Sequence, residues 1–156
     1  MVRALTTAER VLARSVFGAA IDLEPVRLAP SPLKRAFVAG RWFARDWIVW
    51  PRGSLMDDFG NARLSDRSTL IHELVHVWQA QSGVNLLTAK LRAGDSAAAY
   101  AYALDDTCVW VGLNIEQQAS LVEHAYRLRE GGRTPQTADF YARTCPFPVF
   151  GLAERA

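Results

Sequence analysis

The sequence predicts an α+β domain in which a small antiparallel or mixed sheet packs on a mainly helical core. Two amphipathic stretches with helix start signals lie at residues 7–17 and 115–129, and a strongly apolar helical segment lies at residues 66–82. Residues 35–51 instead form a block rich in aromatic and β-branched side chains, which is typical of strands. With 156 residues, half of them apolar, the chain is expected to be a single domain over residues 1–156.

Charge and composition argue against several classes of protein. The formal net charge is +2 without a basic block, which predicts neither nucleic-acid nor membrane-surface binding. No apolar stretch is long enough to span a bilayer and the first residues lack a signal-peptide core, so the cytoplasm is the expected compartment, with signal-less secretion left open. The two cysteines, Cys108 and Cys145, match no disulfide framework and are expected to be reduced.

The first predicted element is a short helix over residues 7–17. Thr6 and Glu9 have the spacing of a capping box, and apolar residues recur behind them at helical intervals. Gly18 supplies the stop signal, because glycine readily adopts the backbone conformation that ends helices. The expected role of this helix is packing.

The predicted strands follow between residues 26 and 51. Residues 26–28 could form a short strand, and residues 35–51 are predicted to form two strands joined near Gly40 or around Arg45–Asp46. Pro51 would end the last strand or mark it as an edge, since proline cannot donate a ladder hydrogen bond.

A buried helix is predicted over residues 66–82. Ser65 is a plausible N-cap and Gly83 a stop. Apolar side chains occupy most of the circumference of this helix, which indicates burial on nearly all sides, at positions 70, 71, 74, 75, 77 and 78.

The second half of the chain is predicted to be mainly helical. A helix is expected near residues 86–92, another from about Ser96 towards Leu104, and a long one over residues 115–129 with Asn114 as its cap. Prolines in the tail, residues 134–156, favour a loop that packs back on the body through its aromatic residues.

The buried helix carries the pattern H-E-x-x-H, which predicts a zinc site. His72 and His76 lie four residues apart on one helical face and can reach one Zn²⁺, while Glu73 is placed to act as a general base. Burying two imidazoles and a carboxylate without partners costs several kcal/mol, and a shared metal offsets this for both histidines. The alternative is a chance match with histidines that are hydrogen-bonded in the core.

A catalytic zinc also needs a third protein ligand, which the motif does not contain. The short all-histidine variant fails, because Ser82 stands where its third histidine would be. Glu116, in the first turn of the later long helix, is the first choice and would complete a His₂Glu set. His124 in the same helix is the rival ligand.

A di-iron site is the other metal centre that shares part of this pattern. Glu73 and His76 match its E-x-x-H element, but a second copy is required. The remaining histidine, His124, has Leu121 where the paired glutamate should be, so the di-iron interpretation is rejected.

Three segments resemble a known family. They read L-T-x-x-E-R at residues 5–10, H-E-L-V-H-V-W-Q at residues 72–79, and N-I-E-Q-Q-A at residues 114–119 followed by V-E. Together they resemble the zincin metallopeptidase superfamily in its glutamate-ligand (gluzincin) branch, and in particular the small bacterial zincin domains labelled Vgr-related proteins. The resemblance implies a zincin-like core built around the H-E-x-x-H helix.

For the site, the resemblance implies Zn²⁺ on His72, His76 and Glu116, with Glu73 as the catalytic base. Tyr102 is the first choice among the tyrosines for stabilising the oxyanion of the reaction. Larger gluzincins often place an acid four residues after the ligand glutamate to support the first histidine, and here that position is Ser120.

The group that supports the first histidine must then come from elsewhere. Asp105, Asp106 or a backbone carbonyl are the expected alternatives. Residues 47–50 are considered as an edge strand that could bind an extended peptide by strand addition.

Three functions remain open from the sequence. The first is a zinc endopeptidase acting on a peptide or protein substrate. The second is a catalytically silent zincin-like module that keeps zinc for stability and serves an interaction. The third is an effector or accessory factor of a secretion apparatus, which the family label suggests. Retention of Glu73 favours an enzyme, because a structural zinc site has no use for a base.

Overall fold

A four-stranded mixed sheet forms one layer of the computed structural model, which describes residues 1–151. Its strands run in the order β1-β2-β4-β3, with β2 and β4 parallel and the other two pairs antiparallel. The strand bounds are β1 Arg3–Ala4, β2 Val26–Ser31, β3 Phe37–Trp42 and β4 Arg45–Pro51. The predicted α+β class with a small mixed sheet is confirmed.

The hairpin between β3 and β4 turns at Phe43 and Ala44, so both predicted turn positions are wrong. These residues have φ values of 53° and 56°, as in the two-residue turns that suit twisted hairpins. Gly40 lies inside β3, where the pairing with β4 is irregular. A glycine within a strand often marks such an irregularity rather than a turn.

The apolar segment at residues 47–50 lies in the interior of the sheet and not at its edge. Strand β4 pairs with β2 on one side and with β3 on the other, and Pro51 ends it. Strand β3 forms one edge of the sheet, opposite the two-residue β1, and therefore replaces residues 47–50 as the strand beside which an extended peptide could pair.

Six α-helices and one short 3₁₀ helix, joined by turns and loops, lie in the rest of residues 1–151. The predicted caps of the first and the long helix are confirmed, with capping boxes formed by Thr6 and Asn114. The helices are α1 Thr7–Phe17, α2 Leu64–Gln81, α3 Leu86–Ala93, α4 Ala97–Tyr100, α5 Ile115–Arg129 and α6 Ala138–Thr144, and the 3₁₀ helix is Trp110–Gly112.

Helix α4 is a single turn and does not continue towards Leu104 as predicted. Asn114 Nδ2 donates to the carbonyl of Ala99 at 3.1 Å, and Gln117 Nε2 donates to the carbonyl of Ala101. A longer α4 would need these two carbonyls as acceptors for its own backbone hydrogen bonds. Because side chains at the start of α5 bind them instead, α4 ends after Tyr100.

Two further element predictions are corrected. Helix α2 begins at Leu64 after an N-cap position, Arg63, that makes no side-chain cap bond, so Ser65 is not the cap. The tail contains helix α6, which the prolines had argued against. Thr137 caps α6, and the Phe140 side chain of this helix is buried. Tertiary packing therefore stabilises a helix of only 7 residues.

Helix α2 lies at the centre of the molecule. It packs along α5 and also contacts β3 and β4, and half of its residues are buried. This arrangement places the histidine face of α2 between α5 and the edge strand of the sheet. Among the described residues, no helix is long and apolar enough to cross a membrane.

Candidate metal centre

Helices α2 and α5 bring His72, His76 and Glu116 together, as the sequence predicted. One ligand atom from each lies within 4.8 Å of the others, and we call this set the His–Glu cluster. Glu116 Oε2 is 3.3 Å from His72 Nε2 and 3.4 Å from His76 Nε2. The i, i+4 spacing stacks the imidazoles on one face of α2, and the capped first turn of α5 presents the carboxylate to them.

Gln79 determines which nitrogen of His76 carries the proton. Its Nε2 donates to the carbonyl of Ile115 at 3.0 Å, so its Oε1 must be the atom that faces His76 Nδ1 at 2.8 Å. An amide oxygen only accepts, and His76 is therefore protonated at Nδ1. In the neutral imidazole the lone pair is then on Nε2, which points to Glu116.

Glu123 does the same for His72. Its Oε2 lies 3.1 Å from His72 Nδ1, one turn further along α5 than the sequence-based position Ser120. A carboxylate acceptor at Nδ1 leaves Nε2 of the neutral ring as the ligand atom. Burial by itself would lower the pKa of His72, but the hydrogen bonds with Glu116 and Glu123 outweigh it and raise the pKa to about 10.

Glu73 faces the same space and is almost completely buried. Its Oε2 has no hydrogen-bond partner among residues 1–151, which is uncommon for a buried carboxylate. Burial raises the pKa of the Glu73 carboxyl, against the opposing effect of the neighbouring histidines. A buried, unpaired carboxylate of this kind suits a group that exchanges protons during a reaction.

Lys90 of α3 approaches the cluster from the other side of Glu116. Its Nζ is 2.6 Å from Glu116 Oε1 and 3.0 Å from the hydroxyl of Tyr100. Burial would raise the pKa of the Glu116 carboxyl, but hydrogen bonds with His72, His76 and Lys90 hold that pKa far below its usual range. Glu116 is therefore an anion, as a metal ligand must be.

Tyr102 and His124 lie together, away from the cluster. The Tyr102 hydroxyl is 2.6 Å from His124 Nδ1 and 3.1 Å from the hydroxyl of Tyr141. This corrects the choice of Tyr102 for the oxyanion, because its hydroxyl is engaged elsewhere. His124 is likewise not a member of the His–Glu cluster. The tyrosine beside the cluster is Tyr100, whose ring stacks on that of His72 with centroids 6.2 Å apart.

The acids expected to support the histidines are also corrected. Asp105 binds Thr107 within its own loop, and Asp106 is 93% exposed and pairs with Arg143. Neither supports a histidine of the cluster. Ser120 is buried and lines the cleft beside His72 without bonding to it.

The sequence reasoning missed Gln79 and Lys90 as parts of the site, and it did not assign Glu123, which lies in a matching segment, the role of holding His72. Gln79 lies three residues after His76 in the matching segment, and Glu123 lies seven residues after Glu116, so helical spacing could have indicated both. Lys90 offers no such signal, because its position depends on how α3 packs against α5.

Two cavities meet at the cluster and share His72, Glu73 and Tyr100 in their walls. The larger, of about 640 Å³, is walled mainly by apolar side chains, and we call it the apolar cavity. The smaller, of about 440 Å³, is walled by polar groups of α2, α5 and the loop after β4, and we call it the polar cavity. An elongated ligand could occupy both and cross the cluster between them.

Comparison with known proteins identifies the family. No family model matches the chain. The solved effector domain of Pseudomonas aeruginosa VgrG2b superimposes with a TM-score of 0.63 and 31% sequence identity, over 79% of this chain and 72% of that domain. The chain belongs to the VgrG2b effector-domain family.

The full-length relative extends the match. The type VI secretion system spike protein VgrG2b of Pseudomonas aeruginosa is 33% identical over 94% of this chain. The chain spans 15% of the length of that spike protein. The chain therefore matches one portion of a much longer polypeptide. This agrees with the structural match, which is to the effector domain of VgrG2b.

Proposed function

We propose that the chain is an effector of a type VI secretion apparatus and that it acts as a zinc-dependent peptidase. The effector role is supported by its relation to the VgrG2b effector domain, whose full-length protein is named a secretion spike. The expected partners are therefore a component of that apparatus and a peptide or protein substrate. The chemistry is supported by the His–Glu cluster.

The single observation that carries the chemistry is the convergence of two Nε2 atoms on one carboxylate oxygen. Each histidine has its Nδ1 engaged, so both Nε2 atoms and Glu116 Oε2 are directed at the same point, and a bound metal would take the place of the Nε2 proton that the raised pKa of His72 favours. This donor set fits zinc in a catalytic rather than a structural site, since it leaves a coordination position open. Bound there, Zn²⁺ supplies a Lewis acid that polarises a carbonyl and lowers the pKa of water.

Glu73 is the general base in this proposal. Its buried Oε2 lacks a partner among the described residues and is free to take a proton from the attacking water. Burial raises the pKa of its carboxyl, which favours the protonated form that then releases the proton to the leaving amine. A second acid is not needed for this transfer.

Tyr100 replaces Tyr102 as the group that stabilises the oxyanion. Its hydroxyl accepts from Lys90 Nζ, so its own proton remains available to an oxygen in the cleft. Tyr100 also lines both cavities beside His72 and Glu73. A donor in this position acts on charge that develops only in the transition state.

The substrate that fits the cleft is an extended peptide with a large apolar side chain. Strand β3 lies at the edge of the sheet and lines the apolar cavity, where its backbone can pair with a peptide. Phe37, Trp42 and Ile115 contribute to the apolar wall. The polar cavity, which Glu73 also lines, would receive polar side chains.

The second candidate is a catalytically silent zinc-binding module that serves the secretion apparatus. It is favoured by the exposed apolar side chains of α3, where Leu87 is 73% and Leu91 is 78% exposed. Such residues suit contact with another protein. This alternative keeps the metal but assigns no proton transfer to Glu73.

The test measures bound metal and peptide cleavage in matched variants. Zinc is quantified by elemental analysis in wild type, His72→Ala and Glu116→Ala, with His124→Ala as a control in the same helix as Glu116. Cleavage of a broad peptide library is compared in wild type and Glu73→Gln. We expect stoichiometric zinc in wild type and His124→Ala, and loss of zinc in the other two.

The cleavage result separates the two candidates. Peptide hydrolysis that disappears in Glu73→Gln while zinc is retained supports the peptidase. Zinc without any Glu73-dependent cleavage supports the silent module. Stoichiometric zinc in Glu116→Ala would remove Glu116 from the ligand set.

A further inference from the structure

The chain contains two lysines, Lys34 and Lys90, beside sixteen arginines, and both lysines line the apolar cavity. Only one of them touches the His–Glu cluster. Lys90 Nζ lies 2.6 Å from Glu116 Oε1, whereas Lys34 forms no ion pair among the described residues. Two ammonium groups thus share one cavity but differ in their contact with the expected zinc ligand.

The carboxylate of Glu116 is divided between two neighbours. Oε2 faces the Nε2 atoms of His72 and His76 at 3.3 and 3.4 Å, and Oε1 is held by Lys90. The Glu116 side chain is only 3% exposed, so water offers little competition for Oε1. A carboxylate whose second oxygen is occupied in this way is available to a metal through one oxygen only.

Lys90 is itself fixed from several directions. Its Nζ is 2.9 Å from Asp95 Oδ1 and 3.0 Å from the Tyr100 hydroxyl, and it lies 5.2 Å from the centroid of the Tyr100 ring. An ammonium has three donors, which match these two oxygens and Glu116 Oε1. The compact group satisfies all three at once, which a planar guanidinium does not do with the same geometry.

We propose that Lys90 is a positioning residue that holds Glu116 Oε1 and thereby makes Glu116 a ligand through Oε2 alone. This inference rests on the proposed function, because it takes the His–Glu cluster as the zinc site. Lys90 lies on α3, so the geometry of a ligand would depend on a third helix besides the two that carry the ligands. A carboxylate bound through one oxygen leaves more room at the metal for water and substrate.

Removing Lys90 would have two opposing consequences for zinc. Loss of a nearby positive charge removes repulsion of the dication and would strengthen binding. Loss of the group that orients a ligand weakens binding, by about 10- to 100-fold for metal sites in general. We expect the second effect to prevail, because Lys90 is 40% exposed and its charge is screened by water.

The experiment compares Lys90→Met with Lys34→Met. Both replace an ammonium that lines the apolar cavity by an apolar chain, but only the first releases Glu116. The full chain is loaded with Co²⁺, whose visible absorption weakens as the coordination number rises, and zinc affinity is measured by competition with a chromophoric chelator. Circular dichroism verifies the fold, which should persist because α3 contains no buried residue.

We expect Lys90→Met to show weaker visible Co²⁺ bands, as Glu116 binds through both oxygens, and a zinc affinity lower by about 10-fold or more. Lys34→Met should match wild type in both measurements. Asp95→Asn removes the charge of another Lys90 partner but leaves the ion pair between Lys90 and Glu116. This exposed variant should keep the wild-type spectrum and serves as a second control.

Three results would overturn the proposal. One is a Co²⁺ spectrum of Lys90→Met identical to that of wild type. Another is a zinc affinity of Lys90→Met that equals or exceeds the wild-type value. The last is an equal change in Lys34→Met, which would indicate a general effect of charge. Failure of wild type to bind either metal would instead refute the proposed function.

Discussion

The replacement of Gln79 by leucine is the most informative single change in this protein. Gln79 is fully buried and makes three hydrogen bonds, which join α2 to the start of α5 and orient His76. Leucine has a similar volume and should leave no large cavity. The change therefore removes the polar contacts with little effect on packing.

The expected loss of stability follows from these contacts. A buried hydrogen bond contributes about 1 kcal/mol, so the free energy of unfolding of the metal-free protein should fall by about 3 kcal/mol. For a domain of this size that corresponds to a decrease in Tm of about 6–12 °C. Without an acceptor at Nδ1, His76 is no longer held with Nε2 towards Glu116, and zinc affinity should fall by about 10- to 100-fold.

Gln81→Leu is the matched control on the same helix. Gln81 also makes three hydrogen bonds, with the backbone of Asp22 and the carboxylate of Asp46, but none near the metal centre. Urea unfolding in the presence of a chelator gives the stability of each variant, and chelator competition gives its zinc affinity. We expect Gln81→Leu to lose about 1–2 kcal/mol, because it is partly exposed, and to bind zinc as wild type does.

The reasoning would be refuted if Gln79→Leu bound zinc as tightly as wild type. That result would mean that the tautomer of His76 does not depend on Gln79. An equal loss of zinc affinity in both variants would also refute it, since the effect would then follow from weakened stability of α2 in general.

Three further predictions concern the fold. Burial raises the pKa of the Cys145 thiol to about 12, so iodoacetamide at pH 8 should modify Cys108 alone in the folded protein and both cysteines in denaturant. Mass spectrometry counts the modified cysteines, and modification of Cys145 in the folded protein would contradict the prediction. A Cβ added at Gly60 would lie 2.4 Å from the Cβ of Ala8, so Gly60→Ala should lower the free energy of unfolding by about 1–3 kcal/mol, as measured by urea unfolding. The double mutant with Ala8→Gly should recover part of this loss. If the effects of the two single substitutions simply add, the two side chains do not clash. Ala44 has a φ of 56°, so Ala44→Gly should raise stability by about 0.5 kcal/mol, and a lower Tm would show that the turn is not strained.

Residue spacing along the chain was enough to predict the helix caps, the buried helix and the three proposed zinc ligands. The capping boxes at Thr6 and Asn114 and the apolar face of α2 depend on residues within one or two turns of each other, and such contacts form in any fold that contains the helix. Glu116 could be chosen as the third ligand because it begins a capped helix that follows the motif.

Only the tertiary structure decided how these elements meet. The order of the strands placed β3 at the edge, and the packing of α2, α3 and α5 brought Gln79, Glu123, Lys90 and Tyr100 to the cluster while it turned Tyr102 towards His124. This is so because a histidine or carboxylate of the cluster reaches the side chain that orients it across helices. The distance between those helices is set by the whole apolar core and not by the spacing of residues along the chain.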